Sequence, residues 1–133
     1  EVSTPFGRAA MTAMVARGGG NVLNAWGAHG DPAWVHNDPS HDVGRLRGTA
    51  LYLASAPGNP GPNDMPEIGS ATFSVGAGTE LASDLGTRHM AQALRVGGVP
   101  FTYDRYDNGA HTFALFNREL RDSWRVVGPA LGA

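Results

Sequence analysis

A histidine set directly after a turn and before an amphipathic segment can carry protons. The stretch Asn108-Gly109-Ala110-His111-Thr112-Phe113 puts one there. An imidazole titrates near neutrality, and at the carboxyl end of a strand in an α/β sheet it can act as a general base. The same position also suits a helix-start histidine packed on Phe113 and Tyr103, and the residues alone leave both readings open. Glu80 stands 31 residues earlier. A carboxylate beside an imidazole fixes its tautomer and stabilises its charged form, and acid followed by histidine is the chain order of α/β-hydrolases. Taken by itself, Glu80 reads as a first-turn glutamate favoured by the helix dipole.

Such a pair needs a nucleophile, expected earlier in a G-x-S-x-G turn between a strand and a helix. Ser70 in I-G-S-A-T and Ser74 in T-F-S-V-G both lack glycine at one or both required positions. Ser55 in L-A-S-A-P follows an apolar run, but Pro57 and the missing glycines argue against a sharp elbow. The nucleophilic serine is therefore expected outside these 133 residues.

Metal chemistry is the rival. His29, His36 and His41 lie near Asp31, Asp38 and Asp42, but spacings of seven and five residues in a loop match no standard zinc pattern. Asp64-x-x-Glu67 is too sparse for a calcium loop. Asp31-Pro32 and Asp38-Pro39 read more simply as turn formers whose carboxylates cap their own backbone. A phosphate loop of the G-x-x-x-x-G-K-[ST] type is impossible in a chain without lysine. No metal and no cofactor is expected.

The elements that must position these residues follow from composition and period. The chain is 41% hydrophobic and 17% charged, with a formal net charge of -2. That is a globular composition with no basic run to suggest nucleic acid as a partner. All ten basic residues are arginine and cysteine is absent, which excludes disulfides and thiolate catalysis. No apolar run approaches the roughly 20 residues of a membrane span. The first residue is Glu1, so a processing, cloning or cleavage point is expected there.

Residues 7–17 suggest a short helix ended by Gly18-Gly19-Gly20. Residues 21–42 read as a long ordered loop anchored by Trp26 and Trp34. Residues 48–54 form a buried strand, and 56–66, dominated by Gly and Pro, an extended loop. Residues 67–79 are small and polar with little period. From Glu80 to Val96 the pattern turns helical, with Leu81, Leu85, Met90, Ala93 and Leu94 sharing a face and Gly97-Gly98 as the stop. Residues 100–106 alternate as a second strand. Phe113, Phe116, Leu120, Trp124 and Val127 then recur every three or four residues, giving a last helix ended by Gly128-Pro129. Strand–helix–strand–helix order implies an α/β fold with a parallel sheet. Two strands make a poor sheet, so the sheet is expected to be incomplete in this chain.

The segment Asn24-Ala25-Trp26-Gly27, Asp31-Pro32-Ala33-Trp34 and Asn37-Asp38-Pro39 resembles the secreted mycolyltransferases of the antigen 85 family, which carry W-G, D-P-A-W and N-D-P in the same order. The likeness runs through Arg45-Leu46 and the strand at 49–54, past an acid at Glu80. It ends in Asn108-Gly109-x-His111-Thr112-Phe113 and Phe116-Asn117-x-Glu119-Leu120, where the family has N-G-x-H-S-W and W-N-x-Q-L types. It covers nearly everything from Asn21 onward.

The resemblance implies the carboxyl-terminal half of an α/β-hydrolase domain, so that residues 1–133 form a single partial domain. It implies a Ser, Glu, His triad, with Glu80 as the acid and His111 as the histidine. It implies acyl transfer between trehalose esters and an envelope acceptor, or ester hydrolysis, by a secreted or envelope-bound enzyme with a trehalose ester or similar lipid as substrate. The nucleophilic serine, the oxyanion-hole amides and the early strands would come from a missing amino-terminal half, and the 133 residues alone would be inactive. Phe113 stands where the best-known members have tryptophan beside the acceptor, which marks it as a candidate substrate-binding residue. The loop from Pro57 to Thr79 looks a few residues longer than in the family. Two other readings stay open: a non-catalytic binding or structural protein on the same scaffold, and a stand-alone metal- or sugar-binding domain. The last would require Glu80 and His111 to lie far apart.

Overall fold

The computed structural model describes residues 3–62, 64 and 71–133, with side chains of the first helical turns after Ala71 described from Gly76 onward. Ser70, Glu67 and the stretch 67–70, together with the side chain of Ser74, lie outside the described residues.

The chain opens with helix α1 (Pro5–Arg17), which starts where Thr4 accepts the Gly7 amide at 3.0 Å and Pro5 presets the first turn. Two one-turn helices follow, α2 (Leu23–Trp26) and α3 (Ala33–His36), and then two 3₁₀ turns at Pro39–His41 and Val43–Leu46. The loop expected over 21–42 is thus a chain of short turns around Trp34. That side chain is fully buried, and its indole N–H donates to the Gly27 carbonyl at 3.3 Å. Trp26 and His29 meet it edge-on at 5.2 and 5.6 Å. Asp31 and Asp38 accept the amides two residues on, from Ala33 at 2.8 Å and Ser40 at 3.1 Å. Burial works against the Asp38 charge, but hydrogen bonds from Ser3 and Ser40 outweigh it and hold this carboxyl below its usual range.

Strand β1 (Tyr52–Ser55) pairs in parallel with β2 (Thr102–Arg105), Tyr52 opposite Thr102 and Ser55 opposite Arg105. Both strands are shorter than the alternation of the sequence suggests, because their extent is set by mutual pairing. Between them runs helix α4 (Ala71–Val96), and after them α5 (Phe113–Ala130). The architecture is α/β, a two-stranded parallel sheet with a helix on each face, in keeping with part of an α/β-hydrolase fold. Alternation along the strands separates the faces. Ser55, Tyr103 and Arg105 share the face toward α4, where Ser55 and Arg105 meet Asp84 and Tyr103 is hydrogen-bonded to Ser55. Tyr52, Asp104 and Tyr106 point to α5, where Tyr106 donates to Asp122 at 2.7 Å and Arg125 pairs with Asp104.

Three expectations need correction. Helix α4 begins at Ala71, so Glu80 lies in its third turn and not at its start. The two glycines Gly76 and Gly78 disfavour a helix by roughly 1 kcal/mol each, but tertiary context overrides propensity. At Gly76 a Cβ would stand 3.4 Å from the His111 carbonyl oxygen and 3.6 Å from its Cβ, so this turn of α4 lies directly against the histidine. Second, the inward stripe of α4 is Glu80, Asp84, Ala91 and Leu94, while Leu81 and Leu85 are exposed. Third, α5 runs through Gly128-Pro129 to Ala130, and its inward positions include Leu115 and Gly128. Phe113, Leu120 and Trp124, the stripe marked by apolar period, are exposed.

Candidate functional site

Both candidate side chains are brought to one place by the βαβ unit. The Nδ1 atom of His111 lies 2.9 Å from Oε2 of Glu80. The Glu80 side chain is 4% exposed and that of His111 39% exposed, so the pair has one end in the protein and one end open. Glu80 Oε1 accepts the Ala56 amide at 3.1 Å. The carboxylate therefore has one oxygen tied to the end of β1 and the other to the imidazole. A carboxylate acceptor at this position favours the tautomer that carries its hydrogen on Nδ1, and in that tautomer Nε2 is the acceptor. The imidazole ring meets Phe116 edge-on, with centroids 4.7 Å apart. The packing partners expected for a purely structural histidine, Phe113 and Tyr103, are differently engaged. Tyr103 is hydrogen-bonded to Ser55 at 2.8 Å, and Phe113 is 79% exposed beyond the site.

The histidine turn is built from its sequence. Gly109 has φ +144°, and a Cβ there would lie 2.9 Å from both Ala56 Cβ and Leu115 Cδ1. Only glycine fits so close a crossing. Thr112 then caps α5 by accepting the Leu115 amide at 3.3 Å, which sets His111 just ahead of the first turn. The first loop after β1 laces onto this turn. The Gly58 amide donates to the Gly109 carbonyl at 3.1 Å, and the Gly109 amide to the Asn59 carbonyl at 2.7 Å. Asp64, 2% exposed, accepts from the Gly61 amide at 2.8 Å, the Ala110 amide at 3.2 Å and the Thr112 hydroxyl at 2.6 Å. Residue-type scanning treated Asp64 only as a poor calcium ligand. Its N-D context after a Gly/Pro run was the one signal of a turn-capping carboxylate.

Ser55 is fully buried. It donates to Asp84 at 2.7 Å and shares a second hydrogen bond with Tyr103, so its hydroxyl is committed to structure. The histidines of the metal reading serve elsewhere: His29 with the Thr12 hydroxyl at 3.0 Å, His41 with the Ser3 hydroxyl at 2.8 Å. Among the described residues no group of three or more His, Asp or Glu converges on one point. A groove of about 440 Å³ runs between α1 and α4, lined by Phe6, Met11, Met14, Thr79 and Leu85 and by neither member of the pair. Its lining is mostly apolar, and Thr79 links it to Glu80 in sequence.

The chain is similar in sequence to known proteins. The chain is 28% identical over 126 residues to diacylglycerol acyltransferase/mycolyltransferase Ag85A of Mycobacterium ulcerans, covering 91% of this chain and 35% of that protein. Against Ag85B of Mycolicibacterium smegmatis it is 30% identical over 122 residues, covering 84% of this chain and 35% of the relative. Ag85C of Mycobacterium leprae is 28% identical over 108 residues, 81% of this chain and 32% of the relative. The chain is related to the antigen 85 mycolyltransferases. It spans about a third of the length of these antigen 85 relatives. No family model matches it. No helix among the described residues is long and apolar enough to cross a membrane.

Proposed function

We propose that this chain supplies the acid and the base of a serine-type acyl transferase or ester hydrolase. The observation that carries the reading is the Glu80–His111 hydrogen bond at 2.9 Å, between a buried carboxylate and an imidazole that is 39% exposed. His111 takes the proton of a serine hydroxyl as that oxygen attacks an ester carbonyl, and returns it to the leaving alcohol. It then takes a proton from the acceptor hydroxyl, or from water, as that oxygen attacks the acyl-serine, and passes it to the serine oxygen as the acyl–serine bond breaks. Glu80 holds the imidazole tautomer and stabilises its charged form.

The serine and the oxyanion-hole donors lie in a complementary portion of an α/β-hydrolase domain of which residues 1–133 are one part. The relatives' length supports this, as do the exposed Leu81, Leu85, Leu120 and Trp124, an unusual amount of bare apolar surface on two helices. The substrates are long-chain acyl esters of trehalose or similar lipids, and the enzyme acts outside the cytoplasm at the cell envelope. The groove between α1 and α4 supports an acyl chain as ligand, and the exposed Phe113 ring is a surface on which a sugar acceptor could rest. The relatives' names supply the acyl-transfer chemistry.

The test is turnover of a trehalose ester and of a p-nitrophenyl ester by the serine-containing enzyme and its His111→Ala variant. The variant is expected to lose more than about a thousandfold in kcat. Near-normal turnover by His111→Ala would remove the assignment.

A further inference from the structure

We propose that Asp64 is a positioning residue for His111, a buried carboxylate that fixes the imidazole by holding the chain on both sides of it. This rests on the reading of His111 as the proton-transfer base. Asp64 comes from the loop after β1, and His111 from the turn after β2. Oδ2 accepts the amide of Ala110, the residue immediately before the histidine, at 3.2 Å. Oδ1 accepts the hydroxyl of Thr112, the residue immediately after it, at 2.6 Å. A single residue held between two points tied to one carboxylate has little backbone freedom left. The remaining freedom, rotation of the side chain, is bounded by the Phe116 ring edge and by α4 at Gly76.

The clamp also has its own anchor. Oδ2 accepts the Gly61 amide at 2.8 Å, and at Gly61 a Cβ would lie 2.2 Å from the Asn108 side-chain oxygen, so the two loops are in direct contact. Oδ2 is thus shared by donors from the two loops that carry the site, and Oδ1 is taken by Thr112. The same loop presents the Ala56 amide to Glu80. One segment therefore sets both ends of the Glu80–His111 bond, the acid through Ala56 and the histidine through Asp64. Proton transfer to and from a reacting oxygen is sensitive to displacement of about 1 Å, which can cost on the order of a hundredfold in rate. Removing the clamp lets the imidazole drift without removing any group that touches substrate.

The variants Asp64→Ala, Asp64→Asn, Thr112→Val, Thr112→Ser and His111→Ala would be made in the serine-containing enzyme. Active sites are titrated with a fluorophosphonate, and p-nitrophenyl ester turnover is expressed per titrated site. Loss of folded protein lowers the number of sites and leaves turnover per site unchanged; loss of positioning lowers turnover per site. Asp64→Ala is expected to lower kcat per site by about a hundredfold with KM within about threefold of the parent. Asp64→Asn can keep its oxygen toward the two amides and donate its N–H to Thr112, so it should recover most of that loss. Thr112→Val should fall below the parent, and Thr112→Ser should restore it. Normal turnover per site in both Asp64→Ala and Thr112→Val, with His111→Ala inactive, would overturn the positioning role and leave the base assignment standing. If Asp64→Ala yields no folded protein, the contrast between Thr112→Val and Thr112→Ser decides. An active His111→Ala would overturn both.

Discussion

Glu80 and Asp84 sit one turn apart on the same face of α4, both almost completely buried, and they do opposite work. Asp84 meets a guanidinium. Its two oxygens accept from Arg105 at 3.0 and 2.9 Å, and one also accepts the Ser55 hydroxyl. Burial opposes its charge, but these hydrogen bonds win and hold the carboxyl below its usual range. Glu80 meets an imidazole that is 39% exposed. A permanent cation locks Asp84 to β2, whereas Glu80 faces an imidazole, the partner that the proposed mechanism requires of it. Two acids on one helix face are divided into anchor and actor by the partner that the opposite strand or loop provides.

That contrast can be broken at each acid. Glu80→Gln in the serine-containing enzyme should lower kcat by about ten-thousandfold, because an amide facing Nδ1 favours the wrong tautomer. The check is steady-state kinetics alongside thermal melting, and an activity loss no larger than that of Asp84→Asn would erase the distinction. Asp84→Asn should instead act on stability. It removes a charge-assisted pair to a guanidinium that is 42% exposed and can turn to water, so the loss is about 2–3 kcal/mol in urea unfolding. The stability held by Asp84 is present above its unfolded value and is lost as pH falls through the lower, folded one. Acid unfolding of Asp84→Asn should therefore show a weaker dependence on pH than the parent.

The loop beneath both acids can be tested through Gly58. Its φ is +84°, and a Cβ there would stand 2.4 Å from the Ala77 carbonyl oxygen on α4. Gly58→Ala should cost about 2 kcal/mol and shift the loop that carries Ala56, measured by unfolding and by turnover per site.

The smallest effect sharpens the comparison with a third acid. Glu119 on α5 has burial, and the like charge of Glu80, without a guanidinium to offset them; only His111 pulls the other way. Its carboxyl is raised from an ordinary 4.5 to about 7. The folded state then binds the proton more tightly than the unfolded chain, so this contribution to stability is complete below about 4.5 and falls as pH rises toward 7. Glu119→Gln should gain stability relative to the parent at pH 8 more than at pH 5, read from melting temperatures across that range. An identical pH dependence in both proteins would refute it.

These acids also explain what the sequence could and could not reveal. The α/β order, the two strands and the final helix are visible in apolar runs and turn residues. The inward faces of α4 and α5 are not. Period counting selects Leu81 and Leu85, but those positions are exposed while Glu80 and Asp84 are buried. The reason is physical: inward positions can be polar wherever the opposing strand offers a donor, and a hydropathy pattern carries no record of the donor. The start of α4 was hidden likewise, since Gly76 and Gly78 read as coil and only the fold shows Gly76 packed on the His111 backbone. His111 and Glu80 were legible as a pair through chain order and family likeness, and their hydrogen bond is a feature of the folded chain. Asp64 was not legible, because its partners lie 46 and 48 residues away.

That separation has a consequence for how the site comes into being. The imidazole bond joins residues 31 apart, the Asp64 bond to Thr112 residues 48 apart, and the Tyr52 bond to Asp104 residues 52 apart. None can form locally, and all require the same crossover to close. High contact order slows folding and makes such contacts arrive together. The Glu80–His111 pair should therefore be absent from any early collapsed species, and a partly folded chain would hold its helices before it held this pair.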